Sequence, residues 1–311
     1  MKIKNIQIVE NRMKFFAVSI ICIAVGIGAM VINGVQSKGI LNFDIDFTGG
    51  TAMTVDIGKE FNNDDVAEVI KSVTGQKSPQ VQKIIGTNQV SIKMQSVDGQ
   101  TRTELSKAIM DKFGLTEESI LSVSDISGAV SGEMQKAAVI ALAIACAVML
   151  LYISIRFADF RMGISSIIAL FHDVLIMVGF YAVFRIPVNN AFIAAVLTVV
   201  GYSINATIVI FDRIRENKEL IKKEGIPKVV DLSVMQTMRR SLYTSITTLL
   251  AIAPLYFIGV ESVKEFALPI MVGIISGGYS SIFLSGSIWY LLSKKMKDLP
   301  DPRDYYDYAN E

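Results

Sequence analysis

One histidine and two cysteines among 311 residues remove several kinds of chemistry at once. A single imidazole cannot build a zinc protease of the His-Glu-x-x-His kind, and no zinc-spaced cluster, nucleotide-binding loop or Ser/His/Asp set occurs. Neither enzymatic catalysis nor a cofactor or metal ligand set is therefore expected. Both cysteines, Cys22 and Cys146, fall inside apolar runs, which suits small packing residues rather than a disulfide framework. Charge is scarce too. Only 19% of residues are charged and the net charge is +1, which leaves no field to attract nucleic acid. With 51% hydrophobic residues, the chain is too apolar for an ordinary soluble enzyme.

What the chain has in abundance is long apolar runs. Six are long enough for a bilayer core, which takes roughly 20 helical residues. They are Phe15–Val35, Lys136–Phe157, Gly163–Phe184, Asn189–Phe211, Leu242–Val260 and Phe266–Ser293. The first is too long for a cleaved signal peptide, and no small-residue cleavage site follows it. Lys and Arg flank alternate loops: Lys2, Lys4, Arg12 and Lys14 before the first span, Arg156 and Arg161 after the second, a basic run between Arg213 and Arg240, and Lys294, Lys295, Lys297 and Arg303 after the sixth. The two short loops on the opposite side carry only Arg185 and Lys264. Positive charge stays inside, so both termini are expected in the cytoplasm of a multi-pass protein of the cell membrane. The expected layout is a cytoplasmic N-terminus (1–14), a transmembrane helix (15–35), an extracytoplasmic domain (36–133), a five-helix membrane domain (136–293) containing a cytoplasmic loop (212–240), and a cytoplasmic tail (294–311).

The region between the first two spans reads as a folded α+β domain. Ala52–Ile57, Val81–Ile85, Val90–Met94 and Ile120–Ile126 have strand character, and Asp64–Val73 and Thr101–Phe113 have helical spacing. Asn62 and Asn63 are available as caps for the first helix, and Thr101 with Glu104 forms a capping box for the second. The order β-α-β-β-α-β is the ferredoxin-like pattern. Ser127–Gly132 reads as a flexible hinge back to the membrane.

Four constellations stand out. His172 and Asp173 lie mid-span, where a central Asp costs about 2.5–3.5 kcal/mol on insertion scales. They read as a packing pair, a proton relay or a cation site. In the next span Gly201 and Asn205 share one helical face, which suits a close interhelical hydrogen bond. Gly273, Gly277, Ser281 and Ser285 recur every four residues along the last span, a stripe that lets another helix approach closely. The fourth is Phe43–Thr51, with Asp44, Asp46, Gly49 and Gly50. No Lys follows its paired glycines, so a structural turn is favoured over a phosphate loop, with Asp44 and Asp46 on one face of a strand. The charged run from Asp212 to Arg240 reads as a solvated loop, with a surface helix over Lys218–Val230 broken near Gly225–Pro227.

Together, Phe43–Thr51 (FDIDFTGGT), His172-Asp173 in FHDVLI, Gly201–Asn217 (GYSINATIVIFDRIREN) and Arg239–Thr248 (RRSLYTSITT) resemble the SecF members of the SecD/SecF family of bacterial protein-export components. The resemblance covers nearly the whole chain. It implies a resistance–nodulation–division-like transport fold, a SecD-like six-span partner, a place beside the SecYEG channel, and preproteins as the polymer moved. It further implies use of the proton-motive force, or of sodium, after ATP-driven insertion. The family's coupling acid commonly follows the span-four Asn; here that position is Ala206, while the family's arginine corresponds to Arg240. Coupling would then rest on Arg240 with a SecD acid or on His172–Asp173, with Asn205 as a further candidate, or be weakened or changed in ion. A scaffold that moves no ions and a stand-alone exporter of small molecules remain the alternatives.

Overall fold

Apolar helices and one polar insertion set the architecture. The computed structural model describes residues 7–36, 39–76, 79–84 and 86–293. Lys2, Lys4 and the 294–311 tail therefore lie outside the described residues. Helix α1 (Arg12–Val35) leads through a one-turn helix α2 (Ile45–Thr48) into an α/β unit. Its elements are β1 (Gly50–Asp56), α3 (Asn63–Thr74), β2 (Gln80–Lys83), β3 (Gln89–Met94), α4 (Gly99–Phe113) and β4 (Ile120–Ile126). The four strands form one antiparallel sheet in the order β2-β3-β1-β4. Met53, Val55, Val90, Ile92 and Met94 alternate onto its inner face and meet Val66, Ile70, Leu105 and Ile109 of the two helices. Asn62 caps α3 by accepting from the Asp64 amide. Helix α4 starts earlier than the capping box implied: Asp98, not Thr101, is its cap, and accepts from Thr101 N at 2.7 Å. That bond, made by a carboxylate at a helix N-terminus, holds the Asp98 carboxyl below its ordinary pKa.

The remaining helices are α5 (Gly128–Phe157), α6 (Phe160–Phe184), α7 (Asn190–Glu216), α8 (Ile221–Ile258), α9 (Glu261–Tyr279) and α10 (Gly286–Ser293). A π-helical stretch, Ser280–Ser285, joins α9 to α10. Among the described residues, six helical segments are long and apolar enough to cross a membrane: Arg12–Val35, Val130–Phe157, Phe160–Phe184, Asn190–Glu216, Lys218–Ile258 and Ser262–Ser293. Helices α6, α7 and α9 form the buried centre. Helices α1 and α5 pack on α6, and α8 packs on α7 and α9. Helices α1 and α6 approach so closely that a Cβ on Gly26 would lie 2.6 Å from Gly179 Cα, a spacing only glycine permits.

Two expectations are corrected here. Ser127–Gly132 is no hinge: Ser127 caps α5, which runs unbroken from Gly128. A Ser followed by small helix-compatible residues reads as a linker by composition but works as a helix start. The stretch 212–240 is not a solvated loop. Helix α7 continues to Glu216, a short 3-10 turn covers Lys218–Leu220, and α8 begins at Ile221. Within α8, Gly225 (φ 80°) marks a break, as its position before Pro227 implied. The charges mask an apolar stripe, Val229, Val230, Ser233, Val234, Thr237 and Met238, which is buried in the bundle.

Candidate functional site

Phe43–Thr51 proves to be a joint. Asp44 and Asp46 do not share a strand face, because this segment closes into the helical turn α2, with Asp44 as its cap. Gly49 takes φ 73°, and a Cβ on Gly50 would lie 2.4 Å from Met94 O, so both glycines are required by the backbone. The acids then reach in opposite directions. Asp44 Oδ2 pairs with Lys93 at 2.5 Å, and Asp46 Oδ2 accepts from the Asn190 amide at 2.9 Å, at the start of α7. Lys93 also lies 3.6 Å from Glu265 of α9, which accepts from Asn189 Nδ2 at 2.6 Å. Phe43 and Val188 form a parallel bridge, and Phe47 is buried against Tyr181, Val188 and Phe192. The α/β unit is thus fastened to the ends of α6, α7 and α9. Burial works against the Lys93 charge, but its hydrogen bond to Asp44 and the nearby Glu265 and Asp46 outweigh it and raise its pKa.

The second constellation lies at the heart of the bundle. Asp173 is fully buried. Its Oδ2 accepts from Ser203 Oγ at 2.6 Å and Ser280 Oγ at 2.8 Å, and its Oδ1 from Ser276 Oγ at 2.6 Å. His172 Nδ1 lies 3.1 Å from Oδ1, and its ring stacks on Tyr279, whose hydroxyl donates to Phe15 O of α1 at 2.8 Å. Three helices, α6, α7 and the last span, therefore converge on one carboxylate, and α1 is tied to the cluster through Tyr279. The stripe on the last span makes this convergence possible. A Cβ on Gly273 would lie 2.3 Å from Val199 Cγ2, and one on Gly277 would lie 3.1 Å from Ser203 Oγ. The stripe packs within the chain, with Ser281 and Ser285 buried along it. Sequence reasoning found Asp173 but missed its three serine donors. The only available signal was the density of serine in the last span, and most intrahelical serines bond their own preceding turn instead.

The third constellation faces outward. Gly201, Asn205 and Arg240 are exposed, no atom lies within 4 Å of a Cβ placed on Gly201, and Ala206 is half-buried. Tyr202 Oη lies 3.3 Å from Thr248 Oγ1, which fixes the register of α7 against α8. The structure does not bring Arg240 to Asp173: among the described residues the only basic side chain within ion-pair distance of Asp173 is the His172 ring.

These arrangements can be set against known proteins. The family model for SecD/SecF protein export membrane proteins, C-terminal region, matches residues 105–295. The chain belongs to the SecD/SecF family. It is 34% identical to the protein translocase subunit SecF of Acidaminococcus fermentans, over 94% of this chain and 99% of that one. It is 36% identical to SecF of Sebaldella termitidis, with 94% of each chain covered. Among solved structures it resembles SecDF from Thermus, a translocon-associated membrane protein, with a TM-score of 0.79, 31% identity and 92% of this chain covered. A second SecDF structure, in a super-membrane-facing form, gives a TM-score of 0.66 at 29% identity. The chain spans 38% of the first SecDF chain and 40% of the second.

Proposed function

We propose that this SecD/SecF family member is the SecF subunit of a bacterial Sec protein-export apparatus, paired with a SecD-like subunit beside the SecYEG channel. In that complex it helps draw preproteins across the membrane late in export, a transport role rather than a catalytic one. The observation that carries the reading is the uncovered face of α7 and α8. Gly201 offers close approach, Asn205 offers hydrogen bonds and Arg240 offers a charge, and among the described residues no hydrogen bond or ion pair engages the side chain of Asn205 or Arg240. SecDF, in which a chain like this one occupies 38% of the length, has a second part available to cover such a face.

On this reading the α/β unit is a ferredoxin-like domain outside the cell membrane, a fold favoured by its strand order and antiparallel pairing. The domain limits are those set out from the sequence, except that α5 begins at Gly128. Both termini are cytoplasmic, in keeping with the basic flanks. The energy source is an ion gradient, since each charge crossing 100 mV supplies about 2.3 kcal/mol. Arg240 would face an acid of the SecD-like subunit, with Asn205 beside it, because Ala206 supplies no carboxylate. Helices α6, α7 and α9 would then pass movement to the outer domain through the Asp44–Lys93–Glu265 joint.

The test is export in proteoliposomes holding this chain, its SecD-like subunit and the channel, with and without an imposed gradient. Gradient-stimulated export is expected, and Arg240→Ala is expected to abolish the stimulation. Full stimulation in the variant would remove Arg240 from the mechanism. Equal export with every gradient collapsed would leave a passive scaffold.

A further inference from the structure

Where the end of α5 meets the end of α7, the chain carries more positive charge than its own contacts use. Phe157 is buried and stands edge-on to Phe211, with 6.1 Å between ring centres. Two guanidiniums rest over the Phe157 ring, Arg156 at 5.5 Å and Arg215 at 5.6 Å from its centre. Both turn to one carboxylate oxygen. Asp212 Oδ1 lies 3.4 Å from Arg156 Nη2 and 3.3 Å from Arg215 Nη2. Two cations thus share one anion, and one positive charge is left over. The neighbouring acids do not cancel it: Asp159 is taken up by Arg161 and Trp289, and Glu216 pairs with Arg213. Each guanidinium has five N–H donors. Among the described residues, Arg156 donates to Asp212 and Arg215 donates to Arg156 O, both at a long 3.4 Å. Most donors are unspent, and each side chain is 41% exposed.

An apolar row leads to this pair. Ile144, Val148, Tyr152 and Arg156 follow one another at four-residue intervals along α5, so they lie on one face. All four are exposed. The row is about 18 Å long, a little more than one leaflet of a core about 30 Å thick. The seam proposed for a SecD-like subunit lies on α7 and α8, which leaves this face of α5 to lipid. A hydrocarbon-length row that ends in two guanidiniums matches a molecule with an acyl chain and a phosphate. Guanidinium forks fit phosphate oxygens two at a time, and basic pockets between spanning helices are where lipid headgroups bind.

We propose that Arg156 and Arg215 bind the headgroup phosphate of one anionic phospholipid of the phosphatidylglycerol class, whose acyl chain lies along Tyr152, Val148 and Ile144. The single negative charge of such a lipid balances the surplus that Asp212 leaves. A zwitterionic lipid brings its own ammonium to the same place and gains less. The bound lipid braces α5 against α7 where Arg156 and Asp212 already join them. Its place in the inner leaflet rests on the orientation given above; the site and its occupancy rest neither on that nor on the role in export.

The experiment is native mass spectrometry of the purified full chain in detergent, supplied with equal amounts of phosphatidylglycerol and phosphatidylcholine of identical acyl chains. One retained phosphatidylglycerol per chain is expected, favoured over phosphatidylcholine by about fivefold or more. Arg156→Gln with Arg215→Gln should erase that preference. Lys222→Gln with Lys223→Gln removes the same charge from exposed positions at the start of α8 and should leave it intact. Asp212→Asn should strengthen retention, because it frees both arginines for the lipid. No preference in the wild-type chain overturns the proposal, and so does undiminished preference in the arginine pair. An equal loss in the lysine pair would mean a diffuse basic field, and displacement by inorganic phosphate would mean a site for free anions; either overturns it. Loss of retention in Asp212→Asn would show that the three residues only brace α5 against α7. Because the wild-type preference is decisive by itself, a misfolded variant does not shield the idea.

Discussion

On α7, Ser203 and Thr207 point into the bundle and are buried, whereas Gly201 and Asn205 point away from it and Asn205 is exposed. The two pairs have the same four-residue spacing, and an offset of two residues places them about 200° apart around the helix. Both faces combine small and polar residues, yet only the inner one is consumed by this chain. Ser203 completes the hydrogen bonding of Asp173 and packs against Gly277. Among the described residues, a Cβ on Gly201 would meet nothing within 4 Å beyond its own stretch of helix. On the proposed reading, polar residues within the membrane mark two separate needs: hydrogen-bonding a carboxyl held inside the subunit, and presenting a seam to another.

Steric variants should separate the faces most sharply. Gly277→Leu drives a side chain into Ser203 and is expected to destabilise the isolated chain by about 3 kcal/mol. Gly201→Leu should leave its stability within about 0.5 kcal/mol but prevent co-purification with a SecD-like subunit. Thermal unfolding in detergent and a pull-down measure the two effects, and equal destabilisation would erase the distinction.

Next in size is Asp173→Ala. It strands three buried hydroxyls and should cost about 2–3 kcal/mol. Asn205→Ala, on the outer face, should cost less than about 0.5 kcal/mol in the same assay. Arg240→Ala should likewise leave unfolding of the isolated chain unmoved, its effect appearing only in export with the partner present. A large loss of stability in Arg240→Ala would mean that this residue serves the chain's own fold.

The smallest expected effect concerns the joint. Because Lys93 has a raised pKa when folded, its contribution is complete below the unfolded value of 10.5 and disappears as pH climbs through the higher folded value. Unfolding of the full chain should therefore lose a small increment of stability only in that alkaline range. Lys93→Met should flatten that part of the profile, and an unchanged alkaline slope in the variant would exclude the joint as its source.

Much of this was readable beforehand. Six apolar runs located six helices long and apolar enough to cross a membrane, and β4 appears at Ile120–Ile126 where a last strand was expected. The four-residue stripe on the last span packs inside the chain, and the paired glycines of Phe43–Thr51 are structural. Other features were hidden for definite reasons. The Asp212–Arg240 run conceals a buried stripe beneath abundant charge, so composition misrepresents it. Asp44 and Asp46 suggest a strand by spacing, but the side chain of Asp44 caps a helical turn instead. Ser276 and Ser280 look like ordinary small helix residues until a carboxylate 103 and 107 positions away is placed beside them.

Residue order alone was enough to place the chain in a bilayer, to divide it into spans and an α/β insertion, and to mark Asp173 as a charge in need of company. These follow from the transfer of side chains out of water and from helical and strand periods, both local properties. The identity of that company, the joint between Lys93 and Glu265, and the separation of Arg240 from Asp173 depend on which helix faces meet. Close approach through glycine and convergence of distant hydroxyls exist only once the helices are packed, so no local pattern could carry them.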